Sequence, residues 1–163
     1  MPHQAEDIWS YVPEKQSGGL ESILLANWCE QNPKWLNAEI EEKWTKILKV
    51  REVVTKAIEP LRADKKVGSS LEVAVYLTVS DEKLAQYLKD SEKVLCDTFI
   101  TSQAFIGKEP EKDVLNTFEE DGINVRVTKA LGEKCERCWK YRVLGNNPEH
   151  PTLCDDCAQA VEE

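Results

Sequence analysis

Four cysteines near the C-terminus are the residues whose spacing best supports chemistry. Cys135 and Cys138 form one CxxC pair, Cys154 and Cys157 form a second, and fifteen residues separate the pairs. A CxxC turn sets two thiolates on one side of a metal ion, and two such turns close a sulfur tetrahedron around it. This spacing predicts one zinc ion. A rubredoxin-like iron centre and a redox dithiol share the CxxC turn, but neither explains two pairs at this separation as well. With all four positions filled by protein, none remains for a catalytic water, so the zinc is expected to be structural. Four thiolates leave the site negative, and Lys134, Arg137, Lys140 and Arg142 stand around the first pair to offset that charge. His150 lies inside the intervening loop and is expected at the surface. Cys29 and Cys96 stand apart among apolar neighbours, as buried thiols.

The effect of such a metal is to fix the residues around it. Arg137, Trp139, Lys140, Tyr141 and Arg142 put aromatic rings between bases on one rigid loop. That arrangement suits stacking on an unpaired base while cations hold its phosphates. The competing reading is that Trp139 covers the zinc sulfurs or packs on a neighbouring sheet. No other constellation carries chemistry. The sequence has no GxxxxGK[ST] loop, GxGxxG, HExxH or GxSxG, and its only histidines are His3 and His150. No catalytic residue is assigned, and the chain alone is not expected to be an enzyme.

The elements that must position this loop read as α+β, in three regions: helical from 1 to 67, a small mixed sheet unit from 68 to 131, and a zinc knuckle from 132 to 163. Asp7, Ile8, Trp9, Tyr11 and Val12 look like the end of a helix stopped at Pro13, and residues 14–19 like a loop. Residues 39–66 place Ile40, Trp44, Ile47, Leu48, Val54, Ile58 and Leu61 on one helical face. Pro60 should kink this helix or end it early, and Gly68 should stop it. Leu71, Val73, Val75, Leu77 and Val79 alternate as a strand with one buried face. Ser80 and Ser91 are placed to cap two helices, the first with Leu84, Tyr87 and Leu88 inward. Residues 104–106 and 123–127 read as further strands, with 107–113 as a charged turn. The last region is too short for its own apolar core and needs its metal.

The formal net charge is −9 over 163 residues, which on its own argues against a general nucleic-acid binder. The distribution is uneven. Residues 43–66 carry eight Lys/Arg against three Asp/Glu, and residues 126–142 carry six against two. Screening limits distant acidic charge to a reach of about 8–10 Å, so two basic patches on an acidic body can still hold phosphates. The plainer reading of 43–66 is a solvated helix face. No apolar run approaches the about 20 residues of a membrane helix, and no secretory signal opens the chain. A cytoplasmic location and no membrane partner are therefore expected.

Three stretches together resemble the C-terminal part of bacterial isoleucyl-tRNA synthetase. Ala5-Glu6-Asp7-Ile8-Trp9, closing at Val12-Pro13, is similar to the late helix of the anticodon-binding bundle. Arg62-Ala63-Asp64-Lys65-Lys66-Val67-Gly68-Ser69-Ser70-Leu71-Glu72-Val73 resembles the segment that follows it. Gly132-Glu133-Lys134-Cys135-Glu136-Arg137-Cys138-Trp139 with Cys154-Asp155-Asp156-Cys157 resembles the terminal zinc finger. The resemblance implies a parent enzyme that joins isoleucine to its tRNA with ATP, whose catalytic and editing domains are not in this chain. Met1 is followed at once by sequence that looks mid-domain, so a piece of a longer protein is expected. The resemblance implies Cys135, Cys138, Cys154 and Cys157 as zinc ligands. Arg137 and Trp139 become the leading candidates for contact with the anticodon, beside Lys140 and Arg142, and Arg62, Lys65 and Lys66 become weaker phosphate candidates. The implied partners are isoleucine tRNA at its anticodon end and the rest of the synthetase, not DNA. A similar finger closes the formamidopyrimidine-DNA glycosylases, which also begin Met-Pro, but their helical middle does not match. A zinc ribbon for protein interaction is the other alternative.

Overall fold

Residues 39–61 bring apolar side chains to one side of a helix at steps of three and four, and that face needs a partner. In the computed structural model, which describes residues 2–28, 30, 32–110 and 112–162, the partner is a sheet. Contacts divide the chain into two compact units, Met1–Asn37 and Ala38–Glu163, and the long helix lies in the second with the sheet it packs on. The boundary expected at 67 thus falls inside one packed core.

The first unit holds α1 (Pro2–Ser10), α2 (Glu14–Ser17) and two single 3-10 turns, Ile23–Leu25 and Pro33–Trp35. The loop expected at 14–19 is in part helical. Pro13 opens α2, and Gly18 closes it at φ 63, a left-handed conformation that glycine adopts without steric cost. Trp9 Nε1 donates to the Leu20 carbonyl at 3.0 Å, and Ser22 Oγ to Glu6 Oε1 at 2.6 Å. Among the described residues of this unit only Ser17 is buried. Cys29 lies outside the described residues.

The second unit opens on α3 (Ala38–Ala63). Ile47, Val50, Val53, Val54, Ala57, Ile58 and Leu61 are buried, each valine, isoleucine or leucine contributing about 1.5–3 kcal/mol. Leu48, expected inward, is exposed because it stands a full residue step, about 100°, round from Ile47. Ile40, in the first turn, is also exposed. The helix runs only three residues past Pro60. Its end is closed at Lys65 rather than Gly68. Lys65 has φ 56, its N–H donates to the Arg62 carbonyl, and the Lys66 N–H donates to the Leu61 carbonyl at 2.9 Å. This is the paired capping pattern of a Schellman motif with a lysine in the left-handed position.

A 3-10 turn (Ser70–Glu72) leads into β1 (Val73–Val79). Both faces of β1 are buried up to Leu77, Ala74 and Tyr76 included, because β1 lies inside the sheet. Next come α4 (Glu82–Asp90), α5 (Glu92–Phe99) and β2 (Gln103–Ile106), which pairs parallel to β1. Asp81, not Ser80, caps α4, its carboxylate accepting the Lys83 and Leu84 N–H groups. Leu84 and Leu88 are buried while Tyr87 is only half-buried. Ser91 precedes α5 without a side-chain cap bond. Two further strands, β3 (Val114–Glu120) and β4 (Ile123–Lys129), form an antiparallel hairpin, and β4 pairs antiparallel to β1. The sheet order is β2-β1-β4-β3, and β3 is a strand that the sequence reading did not place. Val73, Val75, Leu77, Ile123, Val125 and Val127 share one core with α3, α4 and α5. No helix among the described residues is long and apolar enough to cross a membrane.

Candidate metal centre and nucleic-acid interface

Beyond β4 the chain makes two short paired strands, β5 (Glu133–Lys134) and β6 (Tyr141–Arg142), and a final helix α6 (Asp155–Glu162). The first cysteine pair sits in the turn between β5 and β6. Cys135 N–H donates to the Lys140 carbonyl and Trp139 N–H to the Cys135 carbonyl, both at 2.9 Å. The second pair opens α6, with Cys157 N–H and Ala158 N–H donating to the Cys154 carbonyl. Gly132 is required where the chain enters β5. Its φ is +88, and a Cβ there would lie 2.3 Å from the Arg142 carbonyl oxygen.

The four Sγ atoms lie within 4.8 Å of one another, with Cys135, Cys154 and Cys157 buried and Cys138 half-buried. Cys138 Sγ and Cys154 Sγ are 3.8 Å apart. Zn–S bonds of about 2.3 Å give a tetrahedron with edges of about 3.8 Å, so the donor set fits one zinc ion. The Cys154 N–H donates to Cys135 Sγ at 3.4 Å, and Arg137 Nη1 lies 3.7 Å from Cys157 Sγ. Burial pushes the Cys154 thiol up to about 12. Burial opposes ionisation of Cys135 as well, but the N–H groups of Cys138, Cys154 and Arg137 overcome it and hold that thiol at about 6. When zinc binds, its charge keeps all four sulfurs as thiolates. His150 is not among the four ligands; it is half-buried, and its N–H donates to the Asn147 carbonyl.

The basic and aromatic residues beside the metal divide into two groups. Trp139 is 61% exposed and follows Cys138 directly, at φ 63. Lys134 Nζ stands 5.4 Å from its ring centre, and Arg137 is exposed. Lys140 and Arg142 turn the other way, onto α5. Lys140 Nζ pairs with Asp97, and Arg142 Nη2 lies 3.4 Å from Cys96 Sγ. Burial pulls the Lys140 ammonium down, but Asp97 and Cys96 together outweigh it and raise it above its ordinary value. Cys96 is buried as expected, against these two cations rather than among apolar groups alone. Arg62, Lys65 and Lys66 gather at the end of α3, where Arg62 pairs with Glu59 and Lys66 with Asp64.

What sequence reasoning missed is the anchoring of the knuckle. Gln103 Nε2 donates to the Tyr141 carbonyl at 2.6 Å and to the Leu131 carbonyl at 2.9 Å, and Tyr141 N–H donates to Ser102 Oγ at 2.7 Å. Nothing local in the sequence signals these two residues.

Comparison with known proteins agrees with this layout. Residues 1–77 match the family described as the anticodon-binding domain of tRNA ligase, and residues 132–160 match the zinc finger found in FPG and IleRS. Fold and site thus agree with an anticodon-binding segment followed by a four-cysteine zinc finger. The proteins this chain resembles along almost its whole length are isoleucine–tRNA ligases. That of Thermoanaerobacter sp. (strain X514) is 40% identical over 98% of this chain and 17% of that protein. The ligase of Nostoc punctiforme is 36% identical over 99% of this chain and 18% of its own length. That of Petrotoga mobilis is 37% identical over 100% and 17%. The chain therefore spans less than a fifth of the curated relatives it matches. The resemblance read from the three sequence stretches and the zinc-finger assignment are both borne out.

Proposed function

We propose that this chain is the tRNA-binding portion of an isoleucine–tRNA ligase. It grips the anticodon end of isoleucine tRNA for a catalytic domain elsewhere in the longer protein, and it does not charge tRNA by itself. One observation carries the reading: an exposed indole, Trp139, fixed beside a metal ligand with the Lys134 ammonium 5.4 Å from its ring centre. An unpaired base can stack on that ring while Lys134 and the exposed Arg137 of the same loop meet phosphates. Arg62, Lys65 and Lys66 add a second cationic site for the RNA backbone. Lys140 and Arg142 serve differently, tying the loop to α5 through Asp97 and Cys96. The finger family is shared with FPG, so the finger alone does not favour RNA over DNA. The match of residues 1–77 to an anticodon-binding domain is what supports tRNA.

Binding of isoleucine tRNA at two salt concentrations, with and without a zinc chelator, tests this. Phosphate contacts release counterions, so affinity should fall steeply with salt, and chelation should weaken it further. Binding indifferent to both, or aminoacylation by this chain alone, refutes the reading. Salt-indifferent capture of a protein partner would instead favour an interaction ribbon.

A further inference from the structure

After Arg142 the chain contains no lysine or arginine. The second cysteine pair therefore has no cation on its own segment, while Asp155 and Asp156 stand between its two cysteines. Four thiolates on one zinc ion already leave the site negative. The charge gathered at this half of the knuckle must be offset from elsewhere. The four bases around the first pair are not equally placed to do it. Lys134 Nζ lies at the Trp139 ring, Lys140 pairs with Asp97, and Arg142 reaches Cys96. Among the described residues, Arg137 is the cation that reaches a ligand sulfur, with Nη1 3.7 Å from Cys157 Sγ. The contact crosses the site, because Arg137 stands between the ligands of the first pair and Cys157 closes the second. The loop that carries Arg137 is itself held to the second segment. Glu136 N–H donates to the Thr152 carbonyl at 3.3 Å, and Thr152 Oγ1 donates to Glu136 Oε2 at 2.8 Å.

We propose that Arg137 is a positioning residue for the metal: its guanidinium holds the Cys157 thiolate on the zinc and so retains the ion. This goes beyond the RNA reading and does not depend on it. An N–H bond from a cation to an anion is about twice as strong as a neutral one. On a metal-bound thiolate it draws off electron density and eases the repulsion among four like-charged sulfurs. Cys157 then stays on the ion more of the time and is a poorer target for a competing electrophile. The guanidinium has five N–H donors in a rigid fork. One of them on the sulfur leaves the others free, so metal retention and a phosphate contact are compatible in one side chain. Groups that orient a metal's ligands in this way typically cost about 10–100-fold in metal affinity when removed. Arg137 is exposed, which places it at the lower end of that range.

The test uses the whole zinc-loaded chain, without RNA, in competition with a chromophoric zinc chelator. Arg137→Met keeps the length of the side chain and removes its charge and donors, and it should lower zinc affinity about tenfold. Arg137→Lys restores the cation and should recover part of the loss. Lys134→Met removes an equal charge one residue from Cys135 without touching a sulfur, and should cost much less. With cobalt in place of zinc, the thiolate-to-metal charge-transfer band of Arg137→Met should move to lower energy, since a thiolate freed of its N–H bond gives up charge more readily. A residue that only supported the fold would leave that band in place. Unchanged zinc affinity in Arg137→Met, an affinity loss with an unmoved band, or an equal loss in Lys134→Met overturns the proposal. Should Arg137→Met take up neither metal, Arg137→Lys decides: zinc affinity near that of the unmodified protein supports the proposal, and failure to take up metal overturns it.

Discussion

The side-chain amide of Gln103 donates to the Tyr141 carbonyl at 2.6 Å, which links the sheet strand β2 to the knuckle strand β6. The same side chain pairs twice with Leu131, just before β5, donating to its carbonyl and accepting its N–H. One glutamine therefore holds both ends of the small hairpin that carries Cys135 and Cys138. The direction of Trp139 depends on that grip, because the knuckle has little apolar surface with which to dock.

Gln103→Leu removes these bonds at nearly constant volume and leaves partly buried backbone groups without partners. Each such group costs about 1–3 kcal/mol. Urea unfolding should show a loss of that order, zinc content should stay at one per chain, and tRNA affinity should fall. Unchanged affinity would mean that the knuckle works independently of the sheet.

Zinc removal should act locally. The buried cluster at the metal site consists of Cys135, Cys154 and Cys157, with Cys138, Leu144 and Leu153 packed beside them. That cluster is far too small to fold a segment of this size, whereas structural zinc supplies about 10–16 kcal/mol of apparent binding energy. A chelator should therefore erase hydrogen-exchange protection across 132–162 and spare β1 and β4, whose core lies with α3. Loss of protection in β1 together with the knuckle would contradict this.

The metal ligands and the central strand were legible in the sequence for a local reason. CxxC spacing and a period of two are written within a few residues, as in Val73, Val75 and Leu77. β3 was not legible because a register shift between Val114 and Asn116 breaks its alternation, and as an edge strand it is only partly buried. Its one clear signal was Asp121-Gly122, whose φ values of 52 and 72 make the tight turn that joins β3 to β4. The bases of the knuckle show the other limit. Lys140 and Arg142 look equivalent to Arg137 in sequence, but partners 43 and 46 residues away, Asp97 and Cys96, turn them towards α5. Side-chain direction of that kind belongs to the fold, not to spacing.

Acid should loosen the turn that follows β2. Arg126 on β4 hydrogen-bonds Glu109 and holds its carboxyl below the usual 4.5. A carboxyl lowered in the fold stabilises it above pH 4.5, and that contribution is lost as pH falls through the lower folded value. The Glu109 carboxyl signal, followed by NMR, should therefore titrate below 4.5, with amide exchange at residues 107–109 accelerating over the same range. Arg126→Met should return Glu109 to its ordinary value. A site-resolved signal is needed because protons also displace zinc from thiolates in acid.

Trp139 offers the sharpest separation of packing from binding. Its φ of 63 is a left-handed conformation that costs a side chain about 1–2 kcal/mol and costs glycine almost nothing. Its ring, 61% exposed, returns little of that through burial. Trp139→Gly should thus leave the zinc-loaded knuckle as stable as before or more stable, and it should weaken tRNA binding by about 1–3 kcal/mol through loss of stacking. Trp139→Ala should weaken binding equally while keeping the strain, so the two variants should match in affinity and differ in melting temperature. If Trp139 were a packing residue, both variants would destabilise the knuckle, and glycine would do so at least as much as alanine. A strained aromatic retained at the surface beside a metal ligand is what a stacking contact requires, and these two substitutions measure the strain and the contact separately.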